Sequence, residues 1–268
     1  MRFYVIADPH GFCKETRAAL EAAGYFADNE PHRLIVCGDV LDRGDEAGAL
    51  TELLMMLHRR GELIYILGNH EDLLMQCMQQ IARGGAYEIA CGMSHHYSNG
   101  TWDTCLQLSG LTPQGAVDNP NEMLRRIRNS TYYRELLPTA RSCFETEKYI
   151  FCHGWIPVNV TETAGERSYS YLENWREIAT VDDWKRSRWL NGMALACEHG
   201  ILEEGKTVVC GHFHTSYGHS RIRHACTEWE KDAIFAPFYA NGIIALDACT
   251  AYSGRVNCIV LEDEMREA

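Results

Sequence analysis

Three short apolar runs punctuate the start of the chain at roughly thirty-residue spacing: Arg2–Ala7, Arg33–Cys37 and Glu62–Leu67. Each is rich in Ile, Val, Leu or Tyr and halts at a polar cluster, the pattern of buried strands. Between and after them the hydrophobic period lengthens. Leu50, Leu53, Leu54 and Leu57 fall at i, i+3, i+4 and i+7, one stripe of a helix, and Leu73, Leu74, Cys77, Met78 and Ile81 repeat it. Gly24 and Gly61 stand where helix C-terminal caps are expected. This strand–helix–strand rhythm predicts an α/β fold with a parallel or mixed sheet.

From Gly84 to about Ser142 the pattern changes to Gly, Ser, Asn and Thr, followed by a helix-like run from Asn121 to Leu137. We read residues 84–142 as an inserted cap or side lobe on a single domain spanning 1–268. Strand signals return at Lys148–Cys152, Lys206–Cys210, Gly242–Leu246 and Val256–Leu261. The last two predict a hairpin-like sheet edge turning at Ser253 and Gly254. Residues Glu262–Ala268 read as an acidic, frayed tail.

Composition narrows the field. The 268 residues are 46% apolar and 23% charged, ordinary for a globular protein. The formal charge of −12 disfavours nucleic acid as a partner, since phosphate backbones are bound by Lys and Arg. No run is long enough to span a membrane, and the Phe3–Ala7 run, which stops at Asp8, is too short for a signal-peptide core. The twelve cysteines include no CxxC pair, and Cys37, Cys152, Cys210 and Cys258 lie in or beside strand-like runs. Buried free thiols in a reduced, cytoplasmic protein are the expectation.

The chemistry lies where the strand-like runs end. They deliver Asp8-Pro9-His10-Gly11, then Gly38-Asp39-Val40-Leu41-Asp42-Arg43-Gly44, then Gly68-Asn69-His70-Glu71; later come Cys152-His153-Gly154 and Gly211-His212-Phe213-His214. Strand C-termini of α/β sheets converge on one crevice, so five such clusters are expected to meet there. Mixed carboxylate and imidazole donors without thiolate favour Mn, Fe or Zn, and one shared carboxylate can hold two ions. Two divalent ions, with Asp8, Asp39 and a bridging hydroxide, leave one net positive charge, which attracts a phosphate dianion. Arg43 adds a donor fork matched to phosphate oxygens.

In order and content these motifs resemble the phosphoprotein phosphatase family of calcineurin-like metallophosphoesterases, whose relatives include symmetric dinucleoside tetraphosphatases. The likeness is close over residues 1 to about 72. It returns at His153, His212 and the closing segment Ala245–Thr250 through Leu261. The resemblance implies a four-layer α/β/β/α sandwich of mixed sheets with a helical insertion. It implies two divalent ions, Mn first and Fe or Zn as alternatives: Asp8 and His10 on one, Asp39 bridging, and Asn69, His153 and His212 on the other. His70 would be the general acid, oriented by Asp42, with Arg43 clamping phosphate. A second phosphate-binding arginine is expected within Trp184-Lys185-Arg186-Ser187-Arg188, Arg186 first and Arg188 as the alternative. The histidine after Gly-His is unusual for protein phosphatases of this family, and the wider superfamily uses it as a ligand, so His214 is expected to complete the first metal site. His95, His96, His219 and His224 match no motif and read as cap or surface residues.

The expected activity is metal-dependent phosphomonoester hydrolysis by direct attack of the bridging hydroxide, on phosphoserine, phosphothreonine and, as an extension, phosphotyrosine. The alternative is hydrolysis of dinucleoside polyphosphates or other nucleotides, with Arg125, Arg126 and Arg128 as candidate cap cations. A catalytically inactive protein-binding scaffold ranks third. The partners expected are a phosphorylated protein or peptide, or a nucleotide, and no membrane.

Overall fold

The computed structural model of the chain describes residues 1–163 and 165–264. Strands β1 (Arg2–Ile6), β2 (His32–Cys37) and β3 (Leu63–Ile66) form where the first apolar runs stand. They alternate with helices α1 (Cys13–Ala22), α2 (Ala47–Arg59) and α3 (Asn69–Ala82). The insertion folds as five helices, α4 (Ala86–Ala90), α5 (His95–Ser98), α6 (Thr101–Ser109), α7 (Pro113–Asp118) and α8 (Pro120–Asn129). After it come β4 (Phe144–Glu145), β5 (Tyr149–Phe151), β6 (Val158–Thr163), β7 (Glu166–Tyr171), β8 (Thr207–Cys210), β9 (Phe238–Ala240), β10 (Ile243–Ala245) and β11 (Cys258–Glu262).

Two mixed sheets stack face to face. The first has the order β11-β1-β2-β3, with β1, β2 and β3 parallel and β11 antiparallel to β1. The second has the order β4-β5-β8-β10-β9, in which β5, β8 and β10 are parallel. Strand period decides which side chain goes where. Phe3, Val5, Ile35, Ile64 and Ile66 point inward and meet Phe151, Val209, Ile244 and Leu246 of the second sheet. The intervening residues Tyr4, Ile6, Leu34, Val36 and Tyr65 point outward into α2, α3 and the insertion helices. Ile150, Val208, Ile243 and Ala245 pack outward against Trp155, Trp175, Met193 and Phe238. Each Val, Leu, Ile, Phe or Met among them, almost wholly buried, contributes about 1.5–3 kcal/mol of transfer free energy. The result is helices, sheet, sheet, helices, the expected four layers.

The insertion has no core of its own. Trp102, Cys105, Ala116, Met123, Leu124 and Ile127 belong to the same apolar cluster as Leu50, Leu54, Leu74 and Met78 of α2 and α3. The predicted run Asn121–Leu137 is broken: α8 ends at Asn129, and a separate wide turn covers Tyr132–Leu136.

The expected hairpin near Ser253 does not form. The segment 243–245 lies in the second sheet and Cys258–Glu262 in the first, with the helical turn Thr250–Ser253 crossing between them. The ribbon β6–β7 had no sequence forecast; it pairs antiparallel with itself alone. Of the acidic tail, Glu262 closes β11, and residues 265–268 lie outside the described residues.

Candidate metal centre

Six parallel strand ends converge, three from each sheet: Asp8 follows β1, Asp39 follows β2, Asn69 and His70 follow β3, His153 follows β5, His212 follows β8 and Asp247 follows β10. The loops carrying them interlock through backbone bonds, Asp8 N–H to Gly38 O (3.3 Å), His10 N–H to Asp39 O (3.0 Å) and Gly44 N–H to His10 O (2.8 Å). Asp8, His10, Asp39, Asp42, Arg43 and His212 all have φ between 48° and 74°, a left-handed conformation that L side chains rarely adopt. Only three other non-glycine residues among those described do so, Asn174, His224 and Cys249. Strain of this kind, about 1–3 kcal/mol per residue, persists where the surrounding structure enforces it, and it clusters at functional sites.

Glu71 is one enforcer that the sequence did not single out. Its buried carboxylate accepts the backbone N–H groups of Gly68 (2.6 Å), Asp39 (3.1 Å) and Val40 (3.0 Å) and the hydroxyl of Tyr132 (3.2 Å). A single side chain thereby ties the loop after β2 to the start of α3. Gly211 is a second: a Cβ there would collide with the Asp8 carboxylate, both of whose oxygens accept His212 N–H at 3.1 and 3.0 Å.

The donor atoms gather around Asp39. Its Oδ1 lies 3.3 Å from His153 Nε2, and its Oδ2 lies 3.8 Å from His10 Nε2 and from His70 Nε2. Asn69 Oδ1 is 2.8 Å from both His153 Nε2 and His212 Nδ1. Two groups that can hold a divalent ion result, His10–Asp39–His70 and Asp39–His153–His212. The tautomers fit that use. His153 Nδ1 donates to Cys37 O (2.7 Å) and His10 Nδ1 donates to Leu41 O (3.0 Å), so each presents Nε2 toward the cluster. His153 Nε2 faces two oxygens, an arrangement that either a proton on Nε2 or a metal ion satisfies.

The electrostatics carry the same demand. Burial lifts the Asp8 carboxyl well above its usual range, and the neighbouring Asp247 and Asp39 add to the shift. Burial, eased by the Cys249 N–H and Arg43, brings Asp247 up to about 6. For Asp39 burial is outweighed by His153 and His70, and its pKa falls well below the ordinary value. His153 is pushed up to about 10, against burial, chiefly by Asp39. Burial and the charge of His153 drive His212 down to about 3. The donor set thus needs positive charge at its centre, supplied by protons or by metal ions.

Beside this cluster His70 Nδ1 bonds Asp42 Oδ2 at 2.7 Å, and Arg43 Nη2 approaches His70 Nε2 at 3.4 Å. The His70 ring falls within the first group, while its other nitrogen is taken up by Asp42. Asp39 and Asp42 raise its pKa against the effect of burial. The two arginine candidates separate. Arg186 is exposed and paired with Asp183 on its own helix, Val181–Ser187, at 2.5 Å. Arg188 is buried, bonds Asp72 of α3 at 2.6 Å, and leaves its Nε unpartnered. Trp155 N–H bonds Ser187 O at 3.1 Å, so the chain around Arg188 packs against the His153 loop.

His214, expected in the first site, lies in neither of the two groups. The left-handed turn at His212 (φ 65°) redirects the chain. The His214 Nδ1 then accepts from Tyr217 N–H (3.3 Å) and Ser216 Oγ (3.2 Å), while Nε2 faces Glu228 at 3.4 Å. Asp247, which sequence reasoning passed over although it too follows an apolar run, is close enough to Asp8 to raise its pKa. Arg125 and Arg126, candidate cap cations, are tied to Glu122 on α8. Of the histidines without a motif, His96 and His219 are buried.

The model of the calcineurin-like phosphoesterases matches residues 1–237. The chain belongs to that family. It is a phosphoester hydrolase of a family that uses a dimetal centre. Over 139 residues it is 22% identical to the asymmetrical bis(5'-nucleosyl)-tetraphosphatase PrpE of Bacillus velezensis, covering 50% of this chain and 51% of that protein. The match therefore spans about half the length of that relative. Among solved structures, a cold-active protein-tyrosine phosphatase of a Shewanella species is similar, with a TM-score of 0.48 at 13% identity, over 97% of this chain and 75% of that one. A protein serine/threonine phosphatase from Saccharomyces cerevisiae gives 0.47 at 12% identity, over 100% and 81%. Among the described residues, no helix is long and apolar enough to cross a membrane.

Proposed function

We propose that this phosphoesterase is a phosphomonoesterase of phosphorylated serine and threonine side chains, with phosphotyrosine as a further substrate. The observation that carries the reading is the His70–Asp42 pair beside the Asp39 cluster, with Nε2 directed toward Asp39 and Arg43. A serine alkoxide is a poor leaving group and needs a proton as the P–O bond breaks, which is the service such a pair provides.

Asp8, His10 and Asp39 would hold one ion, and Asp39, Asn69, His153 and His212 the other; manganese is our first assignment, with iron or zinc as alternatives. Bound there, two divalent ions supply Lewis acidity to the phosphoryl oxygens and lower the pKa of water. The chain's own side chains do the rest. Arg43 and Arg188 bind non-bridging oxygens of the phosphate. His70 hands the proton on Nε2 to the ester oxygen, and Asp42 holds the ring and stabilises its charged form. The twelve unpaired cysteines fit a reducing, cytoplasmic setting.

His70→Asn tests the reading. Turnover of a phosphoserine peptide should fall by about 10²–10⁴-fold, the usual worth of a general acid. Turnover of p-nitrophenyl phosphate, whose leaving group hardly needs a proton, should fall far less. Equal losses on both would refute the role. One feature favours a second reading, hydrolysis of dinucleoside polyphosphates: the half-exposed Trp189 ring stands edge-on to His212 at 5.9 Å, where a nucleobase can stack. Rates on diadenosine tetraphosphate and on phosphopeptides, measured side by side, decide between the two.

A further inference from the structure

Helix α6 lies along the loop that carries Asp42, and one face of it meets that loop at every turn. Thr101, Thr104 and Gln107 recur at intervals of three. Thr101 Oγ1 donates to Asp42 Oδ2 at 2.8 Å, and Asp42 N–H donates to Thr104 Oγ1 at 3.0 Å. Gln107 accepts Ala47 N–H (2.9 Å) and donates to Gly44 O (2.9 Å). Gly100, which begins the helix at φ +79°, sits so close that a Cβ would collide with the Arg43 backbone nitrogen.

The oxygen that Thr101 meets is the one bound by His70 Nδ1. Asp42 stands on strained backbone (φ 74°), is 1% exposed, and its carboxylate has a free torsion unless both ends are held. Thr104 holds the main chain and Thr101 holds the carboxylate. Thr101 itself is fully buried and far from the donor atoms of the metal cluster in sequence, in the insertion.

We propose that Thr101 is a positioning residue for the Asp42–His70 pair, so that the insertion sets the orientation of the catalytic acid. This rests on the reading of His70 as that acid. Without the hydroxyl, Oδ2 keeps a single donor, the carboxylate can rotate, and the imidazole loses its fixed aim at the ester oxygen.

The experiment compares Thr101→Val, Thr101→Ala and Thr101→Ser with His70→Asn. Thr101→Val and Thr101→Ala should lower kcat on a phosphoserine peptide by about tenfold or more, a part of the whole general-acid contribution, and p-nitrophenyl phosphate turnover by less than about threefold. Thr101→Ser, which keeps the hydroxyl, should restore the peptide rate. In metal-free protein the downfield His70 Nδ1–H proton resonance should broaden in the Val and Ala variants and persist in Ser, a readout independent of turnover. Thr101→Val equal to wild type, equal losses on both substrates, or Ser as poor as Val would overturn the proposal. If His70→Asn separates the substrates and Thr101→Val does not, only this inference falls; if His70→Asn does not separate them, the general-acid reading falls and takes this inference with it.

Discussion

Glu71→Gln isolates what holds the loops in their strained form. The wild-type carboxylate accepts three backbone N–H groups and the Tyr132 hydroxyl. Glutamine keeps one oxygen. Its best orientation leaves that oxygen with the Gly68 and Asp39 amides, now as neutral rather than charge-assisted bonds, a loss of about 1 kcal/mol each. Tyr132, whose hydroxyl also bonds Tyr65 at 2.9 Å, can turn and accept from the new amide. The Val40 N–H is left facing an NH2 group and is orphaned, at about 1–3 kcal/mol. Burial and Asp39 already raise the Glu71 pKa, so a neutral side chain recovers part of this loss. The net expectation is a loss of more than about 1 and no more than about 5 kcal/mol in urea unfolding of the chelator-stripped protein. Because the Asp39 amide is one of the loosened groups, manganese affinity by calorimetry should fall about 10–100-fold. An unfolding loss below about 1 kcal/mol with unchanged affinity would refute the view that Glu71 sets the site.

Other expectations follow from the same geometry. Arg188→Ala should raise KM for a phosphopeptide about tenfold or more, whereas Arg186→Ala, whose side chain is spent on Asp183, should change it less than about twofold; steady-state kinetics of both variants checks this. Burial and the nearby His95 hold His96 down to about 4, so the unfolded chain takes up a proton between its ordinary pKa near 6.5 and that value while the folded chain does not. Stability should therefore fall as pH drops from about 6.5 to 4, by no more than about 3 kcal/mol, and His96→Phe should flatten that part of the profile. Glu203 ties the β6–β7 ribbon to the second sheet's outer layer, accepting Trp175 Nε1 (3.0 Å), Tyr171 Oη (2.7 Å) and Arg176 Nη1 (2.7 Å). Glu203→Ala should cost about 2–4 kcal/mol by the same unfolding assay, since three buried or half-buried donors lose their acceptor.

What the sequence made legible were the places where a short apolar run stops abruptly at a polar residue. Asp8, Asp39, Asn69, His153 and His212 each follow such a run, and the parallel strands bring them together. The surroundings of His214 were not legible, because a one-residue gap after His212 says nothing about the left-handed turn there or the placing of the His214 ring against Glu228. Thr101 and Thr104 were invisible, being hydroxyl residues within a stretch of polar residues. The β6–β7 ribbon, Val158–Thr163 with Glu166–Tyr171, is polar on most positions and has little apolar alternation to signal a strand. Strands β10 and β11 are neighbours in sequence, but only the packing of two sheets decides that they part company.

The central claim is that Asp39 joins two ion sites. Anomalous diffraction at the manganese edge, from crystals grown with manganese, tests it most directly. The wild-type protein should show two peaks, one against His10 and one against Asn69, His153 and His212, both touching Asp39, and Asp39→Asn should lose at least one of them. Two full peaks retained in Asp39→Asn, or no peak at Asp39 in the wild type, would contradict the account.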